Sequence, residues 1–169
     1  MKPLHEQFEP GRSLLAWWEN LDDNRAARAE LRRASDITAV TLSSHYQKFY
    51  RRLVAAGWDD EGRIYRRDGL AAAVGLLAHV ERNDDQDLAH RMSESAANSD
   101  RLRVSQLRFR RLLESPDIDS IFTGLRRALP LMGNQANVIA LTNDIVNWDD
   151  NVKKRWAYAY RWPAEKRKS

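Results

Sequence analysis

The run from Leu70 to Val80, LAAAVGLLAHV, constrains the fold most, because it is apolar on nearly every side. A helix that is apolar all round cannot face water and is buried in the middle of a protein. We therefore predict that this segment forms the most buried helix of the chain. With 169 residues, 43% of them apolar, the chain can form one compact domain or two small lobes that share a core.

The segments around this run carry apolar residues at helical spacing. In 11–21, for example, Leu14, Leu15, Trp18 and Leu21 mark one face of a helix. Further helices are predicted over 24–34 (with Asp22 or Asp23 as N-cap), 37–56, 85–94, 101–114, 117–129, 136–148 and 151–162. No stretch alternates apolar and polar residues long enough to indicate a strand, and Gly and Pro are scarce, so the predicted fold class is all-α.

The small polar segment SAANSD, residues 95–100, is the clearest internal break. We place a boundary there, which gives an N-terminal helical lobe, 1–97, and a C-terminal helical lobe, 98–169. The last residues, AEKRKS, are predicted to be frayed.

The composition excludes several classes of protein. The chain has no cysteine, so it has no disulfide and no thiolate metal site. No apolar run approaches the roughly 20 residues of a membrane span. His5, Glu6 and Glu9 stand where a signal peptide would be apolar, so we expect a cytoplasmic protein with no membrane partner.

Catalytic patterns are missing from the sequence. There is no Gly-rich phosphate loop, and Ser44 and His45 are neighbours that a helix would point in different directions. Five side chains could in principle supply metal ligands: His79, Asp84, Asp85, Asp87 and His90. A solvated turn between helices is the favoured interpretation of these five. We predict that the protein is not an enzyme and holds neither a metal nor a cofactor.

The six tryptophans are mostly predicted to be core residues. This interpretation applies to Trp18, Trp58, Trp148 and Trp156. Trp17 and Trp162 are less well placed for burial and could stack on nucleobases, although core or partner contact is favoured.

The segment 101–113, RLRVSQLRFRRLL, holds five arginines and no acid. If the segment is wound as a helix, Leu102, Phe109, Leu112 and Leu113 form the core stripe. Arg101 and Arg108 then lie on one flank, Arg103 and Arg110 lie on the other, and Arg111 points outward between them. Two explanations are open: acids from other helices neutralise the arginines, or the arginines bind phosphates.

Two more basic clusters follow in the same predicted lobe, Arg126–Arg127 and Lys153–Arg155. Arginines without local acids on three helices favour a surface that binds the nucleic-acid backbone. No motif for reading base edges is present, which indicates binding without sequence specificity.

Several pieces of the sequence, in this order, resemble the CasB family, the small subunit of the type I-E CRISPR effector complex Cascade. They are AWWENLDDNRAARAELRRASD (16–36), FYRRLVAAGW (49–58), RVSQLRFRRLLE (103–114) and LRRAL (125–129), followed by a tryptophan-containing C-terminal helix. The resemblance implies an all-α, non-catalytic subunit that is present as a head-to-tail pair. Its implied partners are the CRISPR RNA, the target DNA, the backbone subunits, the large subunit CasA and a second copy of itself.

The resemblance also implies a role and four basic positions. The basic surface would support the guide–target duplex and hold the displaced DNA strand of the R-loop, while a separate nuclease–helicase cuts. The family's basic positions match Arg33, Arg63, Arg108 and Arg127. Asp149–Asp150 departs from the pattern, since basic residues are expected there, and the tail EKRKS has no clear counterpart.

The predicted nucleic-acid-binding residues combine the basic clusters with these family positions. They are Arg33, Arg63, Arg103, Arg108, Arg110, Arg111, Arg126, Arg127, Lys153, Lys154 and Arg155. Two other functions remain open: a helical nucleic-acid-binding module that acts alone, and a protein scaffold whose basic face meets an acidic partner. Co-purification with a guide-RNA complex separates these possibilities.

Overall fold

The structure, a computed structural model, describes residues 3–164 and confirms the all-α class. The described residues form ten α-helices, one 3₁₀ helix and one pair of two-residue strands. In chain order they are α1 (Gly11–Asn20), α2 (Arg25–Arg33), α3 (Ile37–Thr41), α4 (Ser44–Ala55), α5 (Ile64–Leu77), β1 (Arg82–Asn83), α6 (Leu88–Met92), α7 (Gln106–Leu113), α8 (Ile118–Ala128), the 3₁₀ helix (Leu129–Met132), β2 (Gln135–Ala136), α9 (Val138–Val146) and α10 (Asp150–Ala159).

Helix α5 is the centre of the fold, as its apolar sequence predicts. Every residue from Gly69 to Leu77 is buried, and the helix packs against α3, α8 and α9. Two glycines allow the close approach. A Cβ added at Gly69 would lie 2.7 Å from the Cα of Val146 in α9, and one at Gly75 would lie 2.8 Å from Val40 in α3 and 3.0 Å from Phe122 in α8.

Polar side chains fix where most of these helices begin. The N-cap residue accepts a hydrogen bond from the backbone N–H of a residue in the first turn, which satisfies a donor that the helix itself leaves free. This role is filled by Asn24, Asp36, Ser43, Ser105, Asp117, Asn137 and Asp149. The predicted cap at Asp22 or Asp23 was therefore one or two residues too early.

Two of these caps correct predicted helices. The single helix predicted over 37–56 is divided into α3 and α4, because the extended backbone of Ser43 starts a new helix. The helix predicted over 101–114 begins only at Gln106, after the Ser105 cap. Residues 101–104 are extended instead, and their backbone pairs with 92–96: the Arg103 N–H donates to the Glu94 carbonyl at 2.8 Å.

The predicted helix over 136–148 also starts later, at Val138, because Ala136 belongs to a short strand and Asn137 is the N-cap. Gln135 and Ala136 of β2 pair in parallel with Arg82 and Asn83 of β1. Strands of two residues are too short to produce a recognisable alternation of apolar and polar residues in the sequence. The last helix was predicted to end at Trp162 but ends three residues earlier, at Ala159, because the next residue, Tyr160, adopts an extended backbone.

The buried apolar residues form one cluster that includes side chains from both predicted lobes. The division at 97/98 stays a prediction, although the α5 contacts with α8 and α9 run across it.

Among the tryptophans, Trp18, Trp58 and Trp156 are buried, Trp148 and Trp17 are partly buried, and Trp162 is 42% exposed. Of the tail AEKRKS, which was predicted to be frayed, residues 165–169 lie outside the described residues. Within 3–164, no helix has both the length and the apolar character that crossing a membrane requires.

The close approach of α5 and α9 predicts a destabilising effect of one methyl group. We expect Gly69→Ala to lower the free energy of unfolding by about 1–2 kcal/mol, because overpacking against backbone outweighs the gain in helix propensity. Gly124→Ala is the matched control. Its added Cβ would meet only the end of the Leu112 side chain, at 2.7 Å, which can rotate away. Urea denaturation of both variants measures the difference, and equal stabilities would contradict this account of the packing.

Candidate nucleic-acid interface

Helices α7 and α8 enclose a groove of about 720 Å³, which we call the α7–α8 groove. Its lining includes Arg108 and Arg111 from α7 and Arg127 from α8. Gly124 of α8 faces α7 at the groove, where an added Cβ would lie 2.7 Å from the end of the Leu112 side chain. The buried stripes of the two helices, Phe109 and Leu112 on one and Ile121, Phe122 and Leu125 on the other, turn the arginines toward solvent.

The arginines of this groove have no acidic partner among residues 3–164. No Asp or Glu in that range lies within ion-pair distance of Arg108, Arg110, Arg111 or Arg127. Other arginines do have such partners: Arg67 lies 2.5 Å from Asp60 and Arg28 lies 2.9 Å from Asp22. Neutralisation by acids of neighbouring helices, the alternative left open by the sequence, is therefore not seen in the described part of the chain.

Hydroxyl groups complete the α7–α8 groove, and sequence reasoning missed them. Ser115, Ser120 and Thr123 line it together with the arginines, and one carboxylate, Asp119, also faces it. Hydroxyls and guanidinium groups are the donors that commonly contact phosphate oxygens. The spacing of Ser120, Thr123 and Arg127, three and then four residues apart on one helix, was the signal that could have revealed them.

A second groove of about 640 Å³ shares the arginine wall of the first. We call it the Leu107 groove. Arg108 and Arg111 line both grooves, and the second adds Arg101, Arg103, Leu107 and Pro163. Arg101 and Arg103 therefore join the basic surface, but through the extended segment before α7 and not on the helical flanks that were predicted. Arg110 is exposed and lines neither groove.

The other predicted site residues lie outside both grooves. Arg126 donates a hydrogen bond to the backbone carbonyl of Arg32 at 2.9 Å, and Arg155 pairs with the buried carboxylate of Asp144. Lys153 lies over the ring of Trp148, 5.6 Å from its centroid. Lys154 and Arg33 are exposed, and Arg63 donates to the hydroxyl of Tyr65 at 3.0 Å. Whether these residues contact nucleic acid stays a prediction.

The acidic segment after α5 differs from the solvated turn that was predicted. Asp84 is buried and accepts hydrogen bonds from Arg91 at 2.5 and 2.8 Å, and Arg91 also bonds Glu94 at 2.6 Å. Burial opposes ionisation of Asp84, but the hydrogen bonds from Arg91 hold its pKa below the usual value. Residues 3–164 contain no group of three or more His, Asp or Glu side chains placed to hold a metal ion.

His79 lies two residues after the end of α5, near Arg32 and Arg126. Its imidazole is half-buried, and its Nε2 has no hydrogen-bond partner in the described chain. Burial lowers the pKa of His79, and the nearby charges of Arg126 and Arg32 lower it further. The imidazole is therefore held neutral beside two arginines.

Comparison with known proteins identifies relatives of the chain. The model of the family described as CRISPR-associated protein Cse2 matches residues 27–160. The crystal structure of CasB from Thermus thermophilus is similar, with a TM-score of 0.67 and 26% sequence identity over 89% of this chain and 97% of that one. No curated protein is significantly similar to the chain in sequence.

The environment of His79 predicts acid sensitivity. The unfolded chain takes up this proton more readily than the folded chain, so the contribution of His79 to stability is present above its unfolded pKa of about 6.5 and is lost as the pH falls below it. One such proton changes the free energy of unfolding by at most about 1.4 kcal/mol per pH unit.

The measurement is urea denaturation between pH 7.5 and 5.5. We expect the wild-type protein to lose more stability over this range than His79→Gln, which cannot titrate. Parallel pH profiles for the two proteins would contradict the assignment.

Proposed function

Because the chain belongs to the CRISPR-associated Cse2 family, whose CasB proteins are subunits of the type I-E Cascade complex, we propose that its basic surface binds nucleic acid in that complex. In this role the surface supports the duplex of guide RNA and target DNA and holds the displaced DNA strand of the R-loop. The protein acts in the cytoplasm and has no catalytic function. Its partners are the CRISPR RNA, the target DNA, the backbone subunits, CasA and a second copy of itself.

One observation carries the proposal: three arginines without an acidic partner among the described residues line one groove. Two of the three, Arg108 and Arg127, are positions that the family resemblance marks as basic. Guanidinium groups bind phosphate through paired hydrogen bonds and keep their charge at any physiological pH. The hydroxyls of Ser115 and Thr123 add donors that are equally insensitive to sequence, whereas the Ser120 hydroxyl donates to the Asp117 carboxylate.

Such contacts suit a protein that stabilises an R-loop without cutting DNA. Forming the R-loop exchanges one duplex for another of similar stability, so a few phosphate contacts are enough to shift the balance. None of the contacts requires a metal ion or a nucleophile.

A double substitution in the groove tests the proposal. We expect Arg108→Ala with Arg127→Ala to weaken target-DNA binding by the assembled complex and to reduce the slope of log affinity against log salt concentration by about one to two units. Melting should change little, because exposed substitutions usually alter stability by less than about 0.5 kcal/mol. Guide-RNA assembly should persist, since other subunits hold the guide.

The matched control is Arg51→Ala with Arg52→Ala, which removes two exposed arginines of α4 that line neither groove. If both double variants weaken binding equally, net charge and not the groove is responsible. A complex that carries the groove variant and binds target normally at every salt concentration would refute the proposal. Failure of the wild-type chain to co-purify with guide RNA would favour a module that acts alone or a scaffold.

Removal of the single carboxylate in the α7–α8 groove should strengthen nucleic-acid binding, whereas removal of the arginines should weaken it. Asp119 faces the same groove as the arginines and repels phosphate, so Asp119→Asn should tighten binding of a DNA oligonucleotide. Charge interactions between exposed groups are worth about 0.2–1 kcal/mol, which corresponds to roughly 1.5- to 5-fold in affinity.

Asp150→Asn is the control for this prediction. Asp150 is also an exposed acid in the first turn of a helix, α10, but it lies outside both grooves. Titration at low salt measures both affinities. Equal tightening by the two variants would show that the position of Asp119 in the groove has no specific effect.

A further inference from the structure

Trp162 is held in place by its neighbours and is still partly open to solvent. Its indole N–H donates to the Ala157 carbonyl at 2.7 Å, and its ring meets Phe109 and Tyr160 edge-on, with centroids 5.5 and 5.0 Å apart. Phe109 and Tyr160 stack in parallel at 3.9 Å, and the Tyr160 hydroxyl donates to the Val104 carbonyl at 2.8 Å. Although these contacts fix its ring, 42% of Trp162 remains exposed.

Trp162 is next in sequence to a residue that lines the Leu107 groove. Pro163, the next residue, lines that groove, and Phe109, which Trp162 contacts, is next to Arg108 on α7. Leu107 is 58% exposed and adds apolar surface beside the arginines. An apolar wall, a neighbouring aromatic ring and guanidinium groups therefore lie together.

The two grooves differ in what they can bind. The α7–α8 groove combines arginines with serine, threonine and the apolar side chains of Leu112, Ala128 and Leu131, and it has no aromatic residue in its lining. The Leu107 groove combines arginines with the apolar side chains of Leu107 and Pro163, and Pro163 is preceded by the partly exposed ring of Trp162. Ser105, Gln106 and one carboxylate, Asp100, also line it. An apolar wall beside a basic one is complementary to a nucleotide whose base is unpaired, because the base offers a flat apolar face and the backbone offers the phosphate.

Arg103 also has a donor available. Its Nε is buried and unpaired, and no described residue accepts a hydrogen bond from its guanidinium group. A buried donor without a partner is costly, and a phosphate oxygen that bonds and reorients this guanidinium would remove that cost.

We propose that the Leu107 groove and Trp162 bind single-stranded nucleic acid, with an unpaired base stacked on the exposed ring and its flanking phosphates held by Arg101 and Arg103. The inference rests on the proposed function and divides it between the two grooves. The displaced strand occupies the Leu107 groove, and paired nucleic acid occupies the α7–α8 groove. In a duplex the bases are stacked on one another, so they cannot reach Trp162.

The test compares three fluorescently labelled oligonucleotides of equal length with the full-length chain: a normal single strand, an abasic single strand and a duplex. The abasic strand keeps every phosphate and lacks the bases. We expect the wild-type protein to bind the normal strand at least about five-fold more tightly than the abasic strand, as one stacked base would give.

Trp162→Ala should remove this preference and leave binding of the abasic strand and of the duplex unchanged, whereas Trp162→Phe should retain most of it. The ratio of the two single-strand affinities is measured on the same protein sample, so it does not depend on any loss of folding in the variant. Leu107→Ala, which removes exposed apolar surface from the groove wall, should reduce the ratio more moderately.

Each contrary outcome has a distinct meaning. Equal affinity of the wild-type protein for normal and abasic strands, with salt-dependent binding of both, overturns this inference and leaves the proposed function standing. Absence of binding to all three oligonucleotides refutes the proposed function itself. A Trp162→Ala protein that keeps the wild-type preference for bases but no longer joins the complex would show that the exposed ring is a protein contact, which also overturns the inference.

Discussion

The structure depends on the contact surface of α5, where two glycines let other helices approach closer than any side chain would permit. Gly69 admits the backbone of α9, and Gly75 admits Phe122 of α8 and Val40 of α3. The leucines, alanines and valine between and beside these glycines are buried completely or nearly so, and each large apolar side chain contributes about 1.5–3 kcal/mol. This packing fixes α8 in position and rotation, and the basic surface is built on α8.

Packing in the core determines which side chains reach the α7–α8 groove. Phe122 faces α5, so Gly124 faces Leu112 of α7, and Arg127 is turned to the opening between the two helices. Arg108 and Arg111 reach the same opening because Phe109 and Leu112 are buried. The arginines repel one another, and none of them forms an ion pair with an acid among the described residues, so they add little to the stability of the isolated chain. Their concentration in one groove is what the proposed function, binding of a polyanionic partner, accounts for.

The sequence predicted what depends on local pattern and missed what depends on distant contacts. The burial of α5 followed from a segment that is apolar all round. Arg108 and Arg111 were singled out because the segment 101–113 contains no acid, and Arg127 because it matches a basic position of the family. The extended segment before Gln106 was missed because its backbone partners are at 92–96, and Ser105 looked like one more helix residue. Arg155 is among the predicted nucleic-acid-binding residues, but it pairs with Asp144, and a carboxylate within the apolar stripe of α9 was a sign that a buried acid needed a partner. Arg126 and Arg127 are adjacent in sequence but point in different directions, so only one of them lines the groove.

The central claim is that nucleic acid occupies the α7–α8 groove. Photo-crosslinking tests it most directly: a photoreactive phenylalanine analogue at Thr123, a small exposed residue inside the groove, is incorporated into the chain, and the complex bound to target DNA is irradiated. The same analogue at Arg51, outside both grooves, is the reference position. The account predicts a crosslink from position 123 to guide RNA or target DNA and none from position 51. Crosslinks from position 123 only to protein subunits would contradict it.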